Sequence, residues 1–162
     1  MFNKQENFTS LKEIADLNGL LILKGNTNSG KSLLLHEIIQ HDLKQDKKCY
    51  LIQEKWHKEY SREYDDLKNA GLIIYDSVVI DKEKLIELLN KGNVYFDDAN
   101  EYILQLGSDE FDNRIIVQNK LVMTGQRLLE PDDAFKAFYM IKSEEKHIID
   151  YGIKLQCREL FF

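Results

Sequence analysis

Proline, cysteine and arginine are scarce in this 162-residue chain, with one, two and four of each, and each scarcity narrows what the protein can be. A lone proline, Pro131, excludes a proline-rich linker or recognition segment. Cys49 and Cys157 are too few and too far apart for a disulfide framework. No Cys/His spacing suggests a zinc site. Each cysteine lies in an apolar, strand-like run, where a buried free thiol in a reducing compartment is expected. The arginines are Arg62, Arg114, Arg127 and Arg158 among 22 basic residues. Long apolar runs are missing: none approaches the roughly 20 residues of a membrane span. The start, Met1-Phe2-Asn3-Lys4-Gln5-Glu6, lacks the apolar core of a signal peptide. A cytoplasmic protein without membrane contact is expected. Positive charge is also in deficit, with a net charge of −6 and a pI near 5.3. That excludes a chain-wide electrostatic footprint for nucleic acid, though not a local basic patch. There are no repeats, linkers or low-complexity segments. What remains, 43% apolar and 31% charged residues, is the composition of a globular protein. A single domain over residues 1–162, with a sizeable core, is expected.

The most informative stretch runs from residue 20 to 43. Leu20, Leu21, Ile22 and Leu23 read as a buried strand, and an amphipathic helix follows from Lys31 to about Leu43, with Leu34, Leu35, Ile38 and Ile39 on one face. Between them stands Gly25-Asn26-Thr27-Asn28-Ser29-Gly30-Lys31-Ser32, followed by Leu33. This is G-x-x-x-x-G-K-[ST], the P-loop or Walker A pattern, in its strand–loop–helix setting. A chain of this length would match by chance roughly once in a hundred or less. The chemistry accounts for the spelling. Gly25 and Gly30 let the backbone turn tightly and approach phosphate with no Cβ in the way. Successive N–H groups form one anion-binding concavity, and the helix N-terminus adds partial positive charge. Lys31 is expected to reach the β- and γ-phosphates, and the Ser32 hydroxyl to bind Mg²⁺.

Around this motif the chain alternates strands and helices. Ser10-Leu11-Lys12-Glu13 fits a capping box, so a short helix is expected over 11–17, ended by Asn18-Gly19. Phe8 precedes it and could stack on an adenine ring or staple that helix. Cys49 to Gln53 is a second strand. Residues 55–69, with Trp56, His57, Tyr60 and Tyr64, read as a helix with a thin apolar face: a surface helix, or a lid or partner surface. Residues 72–76 form a short extended run. Asp81 caps a helix over 82–90, closed by Lys91-Gly92-Asn93. Helices are expected over 99–106 and 109–119, with a short one starting at 130–133. A strand is expected over 120–124. In the tail, 138–142 is expected to pair with 147–151 as an antiparallel hairpin, and 153–160 to form a last strand.

Two further stretches carry chemistry. Val94-Tyr95-Phe96-Asp97-Asp98 is an apolar strand ending in acid downstream of a P-loop, the Walker B pattern. Asp97 at the strand end can hold the Mg²⁺ hydration shell beside Ser32. The buried strand 120–124 stops at Gly125-Gln126-Arg127, where Gln126 can orient the attacking water or report the γ-phosphate.

The order of strand, P-loop, helix, second strand, Walker B strand and polar-tipped strand resembles the additional-strand class of P-loop NTPases, over roughly residues 19–149. Three motifs carry the resemblance: residues 25–32, Asp97-Asp98, and Thr124-Gly125-Gln126-Arg127. It implies an α/β, three-layer sandwich around a mainly parallel sheet, with ATP and Mg²⁺ as ligands. In that class the acid after the Walker B Asp is usually Glu and acts on the catalytic water. Here it is Asp98, one methylene shorter; Glu101 and Glu54 are the alternative carboxylates. The Thr-Gly-Gln-Arg ending also resembles the T-Q-R of FtsK/HerA-type DNA pumps and of filamentous-phage assembly (zonula occludens toxin-like) ATPases, with Gly125 inserted. Those families form rings in which an arginine reaches the neighbour's nucleotide. Arg127 or Arg114 is the residue this would use, and a homo-oligomer with DNA or a protein as partner is implied. No L-S-G-G signature of the ABC type precedes Asp97.

Two other classes stay open. A small nucleoside or nucleotide kinase fits the length and the P-loop, but its lid normally grips phosphate with several arginines, and four scattered ones are a poor supply. A nucleotide-dependent regulatory module would bind ATP, hydrolyse it slowly or not at all, and change partner affinity with nucleotide state.

Overall fold

A computed structural model describes residues 11–24, 31–53, 64–97, 115–125 and 141–150. The elements, in chain order, are α1 (Leu11–Ala15), β1 (Gly19–Lys24), α2 (Lys31–Lys44), β2 (Cys49–Gln53), α3 (Asp65–Asn69), β3 (Ile73–Asp76), α4 (Lys82–Lys91), β4 (Asn93–Asp97), β5 (Ile116–Val117), β6 (Lys120–Gly125), β7 (Lys142–Ser143) and β8 (Lys146–Asp150). A 3-10 turn, Ser77–Val79, leads from β3 toward α4.

Six strands form one sheet in the order β3-β2-β4-β6-β1-β8, and every pairing in it is parallel. A parallel sheet needs cover on both faces, so its strands read as continuous apolar runs. β1 is the clearest case: Leu20, Leu21, Ile22 and Leu23 are all buried. The side chains alternate between two cores. Leu21, Leu23, Leu51, Tyr95 and Val122 meet Leu34, Leu35, Ile38 and Ile39 of α2 together with Ile14 of α1. Leu20, Ile22, Ile52, Phe96 and Met123 meet Leu85, Leu88 and Leu89 of α4. Each fully buried Leu or Ile contributes about 1.5–3 kcal/mol. This is an α/β fold with helices on both faces of a parallel sheet. No described helix is long and apolar enough to cross a membrane.

Local chemistry sets the element ends. The Asp81 carboxylate accepts the Lys84 N–H at 2.8 Å and caps α4. Gly92 ends that helix where a Cβ would stand 2.5 Å from the Lys48 carbonyl oxygen. Gly19 has φ +85°, and a Cβ there would lie 2.3 Å from the Glu145 carbonyl oxygen, so only glycine fits where β1 enters the sheet.

One expectation about the later chain is corrected, and for another, the tail hairpin, only part of the residues is described. Residues 116–117 are strand rather than the end of a helix over 109–119. Ile115-Ile116-Val117 is a β-branched run in which Ile115 and Val117 are buried and Ile116 is exposed, the alternation of a strand. In the tail, the described residues pair differently from the expected antiparallel hairpin. β7 pairs in parallel with β5, and β8 pairs in parallel with β1. Adjacent Ile148 and Ile149 are both buried, one in each core, as a strand covered on both faces requires. Residues 138–140 and 151 lie outside the described residues. So do the segments expected to be helical at 99–106 and 130–133, the strand at 153–160, Phe8, and all of 55–69 before Tyr64.

At the amino ends of the strands the α2 face turns polar. Lys120 is buried, and its Nζ donates to both Asp42 carboxylate oxygens at 3.0 and 2.9 Å and to the Ala15 carbonyl at 2.7 Å. The Tyr95 hydroxyl donates to Asp42 Oδ2, and Asn93 Nδ2 donates to the Tyr95 hydroxyl at 3.1 Å. Cys49 Sγ lies 3.5 Å from that hydroxyl. Burial pushes the Cys49 thiol up to about 11, and burial with Asp42 beside it raises Tyr95 well above its usual value.

Two predictions follow from this cluster. Lys120→Met should cost about 3–5 kcal/mol in urea unfolding, because it strands the Asp42 carboxylate. Asp42→Leu added to it should recover much of the loss. The folded Cys49 thiol holds its proton to about 11, against 9.0 for the ordinary group. Stability should therefore be fully present below pH 9 and fall as pH rises toward 11, with Tyr95 acting in the same direction. Urea midpoints across that range check the sign.

Candidate functional site

The same period of two that builds the cores fixes what stands at the carboxyl ends of the strands. On the α2 face, two residues beyond Leu51, Tyr95 and Val122, come Gln53, Asp97 and Thr124. All three are buried polar side chains, and Asp97 is 8% exposed. Gln53 is the register partner of Asp97, and Phe96 that of Met123, so Thr124 stands level with Asp97 on the next strand. The Thr124 hydroxyl donates to the Phe96 carbonyl at 3.2 Å and fixes β6 against β4 at this row.

β6 lies between β4 and β1, so Asp97 is two strands from the end of β1, roughly 9.5 Å away. β1 ends at Lys24, level with Gly125 on one side and Asp150 on the other. The chain resumes at Lys31 as the first residue of α2, which has no acidic residue in its first turn to offset the positive end of its dipole. The connection after β1 leads to α2 on one face, whereas the chain after β6 reappears at Ile141 in the core of the other face. Open α/β sheets bind ligands at the carboxyl ends of their strands.

The expected site residues fall as follows. Gly25, Asn26, Thr27, Asn28, Ser29 and Gly30 lie outside the described residues, as do Asp98, Gln126 and Arg127 and the alternatives Glu54, Glu101 and Arg114. Lys31 and Ser32 are the first two residues of α2. Leu33 follows them and is 52% exposed. Asp97 closes β4. The structure thus brings the start of α2, the end of β1 and Asp97 to one edge of the sheet.

Tyr64, Gln53 and Thr124 complete that edge. Tyr64 directly precedes α3 and is fully buried, and its hydroxyl donates to Asp97 Oδ2 at 3.0 Å. In the sequence Tyr64 falls within the thin-faced stretch 55–69, a surface helix or a lid or partner surface. Its i, i+3 spacing to buried Leu67 was the available signal. Gln53 could have been found by counting two residues on from Leu51. α3 is also tied to α2: His36 Nε2 lies 3.1 Å from both carboxylate oxygens of Asp66, and its ring centroid is 6.0 Å from that of Tyr64. The His36 hydrogen bond holds the Asp66 carboxyl below its usual range.

Asp97 offers the hard carboxylate oxygens that Mg²⁺ prefers. Among the described residues, no three His, Cys, Asp or Glu side chains gather into a metal cage. Phosphate-linked Mg²⁺ takes one or two protein oxygens and fills its shell with water and substrate phosphate, so a lone carboxylate fits that donor set. A cleft of about 650 Å³ lies at the opposite edge, bounded by the turns at Gln118-Asn119 and Glu144-Glu145. No family model matches the chain, and no curated protein matches it.

Thr124→Val should keep the fold and cost about 1 kcal/mol, the usual net value of one buried hydrogen bond. Urea unfolding measures it.

Proposed function

We propose that this chain is an ATP-binding P-loop protein of the additional-strand type and a Mg²⁺-dependent ATPase. One observation carries the reading. The residues spelled G-x-x-x-x-G-K-S join a buried strand, paired on both sides, to the first turn of a 14-residue helix, with an acid-tipped strand two places away. β6 standing between β1 and β4 supports the additional-strand assignment.

In this reading the backbone of 25–33 and Lys31 bind the phosphates and stabilise their charge. Ser32 and Asp97 hold the metal ion. The ion they would hold, Mg²⁺, would supply positive charge to offset the charge that develops on the phosphates. Asp98 takes a proton from water as its oxygen bonds to the γ-phosphorus; the bond to the β–γ bridging oxygen breaks and ADP leaves. Gln126 orients that water. Arg127 or Arg114 serves a neighbouring subunit's nucleotide in a homo-oligomer that handles DNA or a protein. A single domain over 1–162 and a cytoplasmic setting belong to the same reading. Asp98 in place of the longer Glu favours a second reading, a regulatory module with slow or silent hydrolysis.

The test is phosphate release from ATP–Mg²⁺, with and without single- and double-stranded DNA, beside a panel of nucleosides as acceptors. DNA-stimulated release is the expected result. ADP formed only with a nucleoside present would make the protein a kinase, and binding without either would select the regulatory reading. Lys31→Ala should abolish stabilisation by ATP in thermal melts; a folded variant that binds ATP like wild type would remove the site.

A further inference from the structure

Asp97 ends its strand at the edge where phosphate chemistry is proposed, and a carboxylate that binds a cation depends on the group that orients it. Metal-binding side chains are generally aimed by hydrogen bonds from outside the coordination shell, and loss of such a partner weakens metal binding about tenfold to a hundredfold. The Tyr64 hydroxyl makes such a bond, 3.0 Å to Asp97 Oδ2, between two buried residues. A bond to one oxygen restrains the carboxylate from turning about its Cβ–Cγ bond.

Tyr64 is itself held from two sides. Its ring lies in the core shared by α2 and the sheet, with Leu67 of the short helix that follows it buried in the same core. Asp66, two residues on, is fixed to His36 of α2, whose ring faces the tyrosine at 6.0 Å. α2 is the helix that begins with Lys31 and Ser32. The tyrosine therefore joins the phosphate-side helix to the metal-side acid across the α2 face of the sheet.

We propose that Tyr64 is a positioning residue that aims Asp97 at the metal, so that it governs the Mg²⁺-dependent part of nucleotide affinity and leaves the metal-free part alone. This rests on the ATP-binding reading above. The test uses the full chain and a non-hydrolysable ATP analogue, titrated calorimetrically in EDTA and again with Mg²⁺. The ratio of the two Kd values is the metal's contribution. In Tyr64→Phe the ratio should fall about tenfold or more, while the Kd in EDTA stays within about twofold, because the phosphate cradle is untouched. In an Asp97→Asn background the same substitution should lower the ratio no further, since the two side chains act as one unit. Circular dichroism checks the fold. If Tyr64→Phe is not native, Tyr64→Met, apolar and of similar reach, takes the same titrations with the same expectations. A wild-type ratio in the variant overturns the proposal, as does an additive loss beside Asp97→Asn, and both leave ATP binding standing. Failure of the wild-type chain to take the analogue overturns both readings at once.

Discussion

Lys120 carries a charge into the amino end of the core, and Asp42 is the reason it can stay there. An isolated buried ammonium group would cost several kcal/mol; paired and hydrogen-bonded, it becomes a fixed point. Four elements meet at it: α2 through Asp42, β6 through Lys120, β4 through Tyr95 and Asn93, and α1 through the Ala15 carbonyl. Asp42 stands eleven residues after Lys31, roughly 16 Å along the helix. The helix is thus pinned at one end by charge and along its length by Leu34, Leu35, Ile38 and Ile39. Its start is held at the opposite edge of the sheet, beside the strand ends that carry the candidate site.

The α2 face of the sheet is layered as a result. Cys49, Asn93 and Lys120 form a polar row at the amino edge, Leu51, Tyr95 and Val122 an apolar middle, and Gln53, Asp97 and Thr124 a second polar row at the carboxyl edge. The amino row closes on itself through ion pair and hydrogen bonds. In the carboxyl row, Asp97 accepts from Tyr64, the residue that precedes α3. The Cys49 thiol, raised by its dry surroundings, belongs to the closed row and is built for packing rather than reactivity.

Much of this fold was legible wherever the signal was local. A four-residue apolar run from Cys49 to Ile52 gave β2, an Asp81 cap with Leu85, Leu88 and Leu89 gave α4, and the run from Lys120 gave β6. The failures are non-local. Ile148 and Ile149 suit a hairpin strand and a buried parallel strand equally well, and only the partner 126 residues away at Ile22 decides between them. Ile116 and Val117 were lost to an assumed helix although their β-branching pointed to a strand. Lys120 is legible as the start of a buried strand, but nothing local pairs it with Asp42, 78 residues away. The same holds at the site. Asp97 was readable from its strand, but its hydrogen bond to Tyr64 was not, because the two lie 33 residues apart.

The sheet order has a consequence for how the chain comes to be folded. β1 is made early, yet its two neighbours are β6 and β8, about 100 and 126 residues downstream. At about 5–20 residues per second of synthesis, the apolar run from Leu20 to Leu23 waits roughly 5–20 seconds for its first edge partner to be made. For that interval it is an apolar strand without its sheet neighbours. A parallel sheet with such distant pairings folds slowly once complete. A strand paired on both sides in the finished protein is therefore left unpaired while about 100 further residues are made.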